Sequence, residues 1–306
     1  MKTMSLQAIA LRYFLEVVRC GSVNEASTRL HVAASAVSRQ IAKLESELQT
    51  LLFERRSTGM VPTAAGETLA AYARKSQLDV GQLVTELQEF HDLGRGTVRL
   101  ACTQGFAIDF LPDAIAEFRL NYEGLVFTLD VLAPNEVIRK VREGDCDLGM
   151  IFSLAPEVGV RVESTAPGQL FAMIPAKHPL AAQPHVALAD LQPYPLALPG
   201  KETTARGLFD ICAGVQDLSF NVVLESNYIA ALYRFATRQG GICLASTTNT
   251  RRDLAGSNLI AVPITDETLQ TRRIELLSMA NRTLPAAVAK FRDHLKALLV
   301  SSFEGT

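Results

Sequence analysis

The chain has 306 residues, of which 48% are hydrophobic and 20% charged, proportions near the soluble globular average that exclude disorder, collagen-like repeats and a pure coiled coil. At about 100–200 residues per domain, the length predicts two or three domains, each large enough to bury a core. The net charge of −2 hides an asymmetry: residues 1–66 hold eight Lys/Arg against five Asp/Glu, while residues 67–306 hold twenty-two against twenty-seven, and a basic head on an acidic body fits a nucleic-acid contact confined to one end.

After Lys2 the first stretch is broken by Arg12, Glu16 and Arg19, so no apolar core of a signal peptide forms. No uncharged apolar run reaches the roughly 18 residues a spanning helix needs, and a cytoplasmic location without a membrane partner is expected. The five cysteines (Cys20, Cys102, Cys146, Cys212, Cys243) are nowhere closer than 31 residues. That spacing gives neither a C-x-x-C pair nor a disulfide framework, and reduced, mostly buried thiols are expected.

In chain order, residues 6–19 place Leu6, Ile9, Tyr13, Phe14, Val17 and Val18 on one 3.6-period stripe, and Gly21 ends that helix. Ser22 is expected to N-cap a short second helix, with Glu25 in the capping-box position. After a turn at His31-Val32-Ala33, a third helix starting near Ser35 carries Val37, Ile41, Leu44 and Leu48 on its core face. Gly59 and Pro62 bracket the tip of a two-stranded wing. From Thr63 to His91, apolar positions Leu69, Ala73, Val80, Leu83, Leu87 and Phe90, with Ser76 among them, repeat at alternating intervals of 4 and 3. Such a heptad seam favours a partner helix over a globular face, and predicts self-dimerisation. Gly94-Arg95-Gly96 breaks the pattern.

Beyond it, strand-like and helix-like segments alternate. Residues 97–102, 107–121, 127–132, 135–143 and 146–152 read as a βαβαβ unit, and a second such set runs to about 264. A strand at 272–280 and an amphipathic helix at 285–303 are expected to return to the first lobe.

Within the head, residues 23–42 carry Ala26, Leu30, Val32, Val37 and Ile41 at the packing positions of a helix-turn-helix, with Ser27 as the small residue where the helices touch. His31 occupies the turn position where glycine is commonest. Val37 and Ile41 facing inward leave Ala33, Ala34, Ser35, Ser38, Arg39 and Ala42 outward, the surface that enters a major groove. Arg39 can grip a guanine edge or a phosphate, and Ser35 and Ser38 can donate to phosphate or base. Ser22, at the start of the preceding helix, and Arg55 and Arg56, at the foot of the wing, complete the expected DNA-binding set.

The segments SAVSRQIAKLESEL and LFERR, with Thr63-Ala64-Ala65-Gly66-Glu67, resemble the N-terminal domain of LysR-type transcriptional regulators, and the similarity extends along the whole chain. The resemblance implies an α/β multi-domain fold: an N-terminal winged helix-turn-helix (1–62), a long linker and dimerisation helix (63–93), and a two-lobed α/β periplasmic-binding-protein-like (type 2) effector domain (94–306). The lobes are expected at about 94–163 with 266–306, and at about 164–265. It also implies double-stranded DNA as partner, a homodimer through the linker helix, commonly a tetramer of two dimers, frequent contact with RNA polymerase, and regulation by a small molecule bound between the lobes. Two departures stand out: Ala34 replaces a frequent glutamine, and Thr58, Gly59 and Val61 replace basic wing residues. Base reading is therefore expected to lean on Ser35, Ser38 and Arg39.

In the body, ligands of open α/β folds collect at the carboxyl ends of strands. Thr103, Gln104, Gly105 and Phe106 follow the first strand, and Thr203 and Thr204 stand at the matching edge of the second lobe. Ser153 and Asn227 complete a ring suited to a small effector, including an anion. For Thr103 a helix-cap role weighs as much as a ligand role, and for the other Thr, Ser and Asn residues the cap weighs more. A packed thiol is expected at Cys102. No G-x-S-x-G, H-E-x-x-H, P-loop or Cys/His cluster is present, so neither an enzyme nor a cofactor or metal is expected. The alternatives are a solute-binding protein, which would have no use for residues 22–42, and a small-molecule enzyme, which would need a base or nucleophile in the cleft.

Overall fold

The first apolar stripe folds as α1 (Ile9–Cys20) in a computed structural model that describes residues 9–56, 59–89, 96–155, 157–246 and 258–303. The chain divides into two units, Met1–Leu93 with Arg282–Pro285, and Gly94–Asn281 with Ala286–Thr306. In the first, α1 buries Tyr13, Phe14, Leu15 and Val17. Ile9 is exposed instead, and Leu6 lies outside the described residues.

α2 (Val23–Leu30) starts at Ser22, whose hydroxyl accepts from the Glu25 N–H at 3.4 Å. The Glu25 carboxylate takes Arg29, at 2.7 Å, an i,i+4 pair in place of the expected capping box. His31 then adopts φ 56°, ψ 46°, a left-handed turn that a Cβ disfavours. α3 (Ala34–Leu48) buries Val37 and Ile41 against Phe14, Ala26 and Leu52. Leu48, expected in the core, is 49% exposed in the last turn of α3.

The wing pairs β1 (Phe53–Arg56) with β2 (Gly59–Pro62) antiparallel, Arg56 opposite Gly59. It is held at both ends. The Glu45 carboxylate of α3 accepts from the N–H groups of Leu52 and Phe53 at 2.8 and 3.3 Å. The N–H of Met60 donates to the Gly21 carbonyl at 2.8 Å.

Thr63 then caps the long helix α4 (Ala64–Glu89), donating to the Leu51 carbonyl at 2.8 Å and accepting from the Gly66 N–H at 3.0 Å. A Cβ on Gly66 would stand 2.1 Å from the Leu52 carbonyl oxygen, so only glycine fits there. The start of the heptad seam departs from the expectation of a dimer contact: Ala73 is fully buried and Leu69 half-buried in the core of their own unit, beside α1. The helix must first pay its apolar debt to the domain it leaves. The side chains of Leu83, Leu87 and Phe90 lie outside the described residues.

The second unit holds two five-stranded mixed sheets. The first lobe orders β4 (Leu125–Val131), β3 (Gly96–Cys102), β5 (Leu148–Ser153), β12 (Arg273–Met279) and β6 (Val160–Pro167) across its sheet. Its helices are α5 (Gln104–Ala107), α6 (Phe110–Arg119), α7 (Pro134–Glu143) and α10 (Ala286–Phe303). The single helix expected at 107–121 is thus two, broken at Ile108 and Asp109. The second lobe orders β11 (Leu259–Pro263), β7 (Phe171–Pro175), β10 (Ile242–Ala245), β8 (Leu196–Pro199) and β9 (Val222–Ser226), with α8 (Thr204–Val215) and α9 (Ile229–Thr237).

The expected lobe boundaries shift at both crossings. β6 pairs with β12 as far as Pro167, so residues 164–167 belong to the first lobe. Leu269, with no exposed surface, packs in the core of the second, so the return crossing falls at 271–272 rather than 266. The two crossing segments are tied to each other: the Gly168 N–H donates to the Arg272 carbonyl at 2.9 Å.

Candidate nucleic-acid interface and effector cavity

At the start of α3, Ala33, Ser35, Ser38, Arg39 and Ala42 are exposed and Ala34 is half-buried. Burial of Val37 and Ile41 on the opposite face fixes this orientation. The first turn holds no acidic residue, and Ala33 offers no side-chain cap, so the free backbone N–H groups and the positive end of the helix dipole suit a phosphate. Arg55 is exposed on the wing. Arg56 donates from Nε and Nη2 to the Glu54 carboxylate at 3.1 and 2.7 Å, and must leave that partner to touch DNA. Ser22 is occupied as a helix cap.

In the second unit a cavity of about 410 Å³ lies between the lobes, within the usual range of small-molecule sites. Of the residues expected there, Thr103, Gln104, Gly105, Thr203, Thr204 and Asn227 line it, while Phe106 and Ser153 do not. Phe106 is fully buried and stacks on Phe152 at 4.5 Å between ring centroids. It backs the aromatic wall whose face Phe152 presents. The Ser153 hydroxyl closes its own turn, donating to the Ala155 carbonyl at 2.5 Å and accepting from the Ala155 N–H at 3.2 Å.

The ambiguity between cap and ligand resolves residue by residue. Thr203 is a cap, accepting from the Arg206 N–H at 3.2 Å and donating to the Gly200 carbonyl at 2.8 Å. Thr103 makes no cap bond, and its hydroxyl is buried with no hydrogen-bond partner among the described residues. Gln104 reaches from one lobe to the other: its amide donates to the Asn227 carbonyl, and its oxygen accepts from the Ile229 N–H at 2.7 Å. Burial pushes the Cys102 thiol up to about 12, which keeps it protonated and unreactive at neutral pH.

Sequence reasoning missed Arg272, Phe152, and the apolar walls Val131–Pro134 and Leu244–Ala245, all of which line the cavity. Arg272 is 3% exposed, and its guanidinium carbon lies 4.4 Å from the centroid of the Phe152 ring. The only signal was a pair, Arg272-Arg273, at the start of a strand. Which of the two faces inward depends on the strand register.

A helix-turn-helix head with an outward polar helix start, joined to a two-lobed α/β body with a cleft cavity, defines a DNA-binding regulator that carries a small-molecule domain. The family described as bacterial regulatory helix-turn-helix protein, lysR family, matches residues 9–67, and the LysR substrate binding domain matches residues 91–299. The chain belongs to the LysR family and is a transcriptional regulator with an effector-binding domain.

Among its relatives, the transcriptional dual regulator GltC of Bacillus subtilis is 33% identical over 183 residues, 60% of this chain and 61% of that one. The uncharacterized HTH-type transcriptional regulator YfeR of Shigella flexneri is 27% identical over 92% of this chain and 91% of its own. Full-length OxyR from Pseudomonas aeruginosa shares the fold with a TM-score of 0.65 at 19% identity, over 94% of this chain and 93% of that one. The regulatory domain of Synechocystis CcmR, in complex with 2-PG, aligns with a TM-score of 0.57 at 20% identity over 67% of this chain and 98% of its own. Among the described residues no helix is long and apolar enough to cross a membrane.

Proposed function

We propose that α3 enters the major groove of a partly palindromic operator, with Ser35, Ser38 and Arg39 reading bases or gripping phosphate. Ala33, Ala34 and Ala42 lie along the groove walls, and Arg55 and Arg56 touch the flanking backbone. One observation carries this reading: the burial of Val37 and Ile41 turns a helix start without acid or side-chain cap outward, with Arg39 exposed beside it. Arg39→Ala is expected to weaken operator binding by about 1–3 kcal/mol and relax sequence preference at one position. Unchanged affinity and specificity in a gel-shift titration would remove Arg39 from the interface.

The remaining parts follow from the same reading. Residues 1–62 form the DNA-binding domain, 63–93 the linker helix, and 94–306 the effector domain. The linker helix pairs two copies through Val80, Leu83, Leu87 and Phe90, so that two copies of α3 meet successive major grooves of cytoplasmic DNA; two such dimers make the tetramer that contacts RNA polymerase. A small effector occupies the cavity between the lobes, where Thr103, Gln104, Gly105, Thr204 and Asn227 meet it, and is released unchanged. The regulatory domain of CcmR, which shares this fold, is itself in complex with a small molecule, 2-PG. The effector shifts the assembly by its differential affinity for two states.

A further inference from the structure

Arg272 stands where the chain returns from the second lobe to the first, and its surroundings are unusual for a buried cation. Nε and Nη2 donate to the Gly168 carbonyl at 3.2 and 3.1 Å, Nη2 also donates to the Ser246 hydroxyl, and Nη1 to the Thr204 hydroxyl at 3.4 Å. Every one of these acceptors is neutral. Among the described residues the guanidinium makes no ion pair, and of its five N–H groups the second on Nη1 has no acceptor. Burying a charge without a counter-charge is costly, and is tolerated where a partner arrives from elsewhere. Desolvation accordingly pulls the Arg272 pKa down to about 9, and the group still carries its proton at neutral pH.

The Thr103 hydroxyl, buried and unpartnered, lines the same cavity. It is a second, independent polar atom waiting for an acceptor. The remaining wall is mostly apolar: Val131, Leu132, Pro134, Ile229 and Leu244, with the Phe152 ring. The exposed Glu202 contributes a negative charge to the lining, which disfavours a second negative group on a ligand.

Building on the cavity as effector site, we infer that it takes a compact monocarboxylate with an apolar body, the carboxylate pairing with Arg272 and accepting from the Thr103 hydroxyl. One buried guanidinium neutralises one charge, and a dianion would bring a second charge with no further cation among the described residues of the lining and Glu202 beside it. Because Arg272 also holds Gly168, the ligand's charge arrives at the two segments that join the lobes.

The test uses the intact protein at pH 7 and thermal-shift titrations with two isosteric pairs, phenylacetate against phenylacetamide and hexanoate against hexanamide, with phenyl phosphate as a dianion. Saturable stabilisation by an acid, at least tenfold tighter than its amide, is expected. Thr103→Val should fold normally and weaken the acids about three- to tenfold, and Arg272→Gln should erase the preference for acid over amide. Amides binding as tightly as acids to the wild-type protein would overturn the carboxylate inference and leave the cavity reading standing. Tighter binding of phenyl phosphate would overturn the single charge. No stabilisation by any acid or amide would overturn both.

Discussion

Single side chains connect the parts of the DNA-binding head. Glu45 is the clearest case, because its carboxylate accepts from two successive backbone N–H groups where the chain leaves α3 for the wing. Hydrogen bonds to a charged acceptor contribute about 1.5–3 kcal/mol each. Glu45→Ala is therefore expected to destabilise this unit by about 2–4 kcal/mol, read as a lower urea midpoint for its transition, with weaker operator binding. Glu163 does related work in the first lobe: it is buried against the Ser278 hydroxyl at 2.7 Å, Lys296 at 3.3 Å and Arg161 at 3.4 Å. Burial alone would raise its pKa, but the hydroxyl and the cations outweigh it and hold the carboxyl below its ordinary value. Its folded form thus binds a proton less readily than its unfolded form, so its contribution is complete above the ordinary carboxylate pKa of about 4.3 and fades as pH falls through the depressed value. Glu163→Gln should flatten that acid limb in melts followed against pH; an unchanged slope would mean that another carboxylate carries it. At this scale the site was half legible: Thr103, Gln104 and Thr204 follow from the rule that ligands gather past strand ends. Arg272 does not, since inward and outward neighbours in a strand differ only by register.

Elements were more legible than residues, because their signals are periodic. The 3.6-period stripe of α1, the inward pair Val37 and Ile41, and the turn residues of the wing each repeat or bracket a pattern. β6 escaped notice because its burial alternates poorly along Val160–Pro167; it is recruited by β12 rather than by a pattern of its own. The linker helix shows what periodicity leaves open. Its heptad predicts apolar contact without naming the contact, and the structure assigns Leu69 and Ala73 to the core of their own domain. The seam from Val80 onward is the part proposed above to pair with a second copy. Replacing both Leu83 and Leu87 with Gln is expected to convert the dimer to monomers in sedimentation and to reduce operator affinity by more than tenfold, since two linked half-sites lose their avidity. A double variant that still sediments as a dimer would place the interface elsewhere.

Across the effector domain as a whole, two opposed features control the cleft. The two segments that connect the lobes, 168–170 and 271–272, are tied to each other by the Gly168 N–H and the Arg272 carbonyl. Gln104, by contrast, clasps the second lobe from the first through the Asn227 carbonyl and the Ile229 N–H. Such a clasp sets the equilibrium between open and closed lobes before any effector binds, and an effector then adds only its differential affinity. At about 0.5–1.5 kcal/mol per neutral hydrogen bond, losing both bonds shifts that balance by about 1–3 kcal/mol. Gln104→Ala should therefore speed amide exchange at the start of α9, where Ile229 loses its acceptor, and leave exchange in β3 and β7 unchanged. Because the binding-competent fraction falls, any ligand that needs the closed cleft should bind correspondingly more weakly. Exchange at Ile229 as slow as in the wild-type protein would show that closure is held by packing of the apolar walls, and that Gln104 merely follows it.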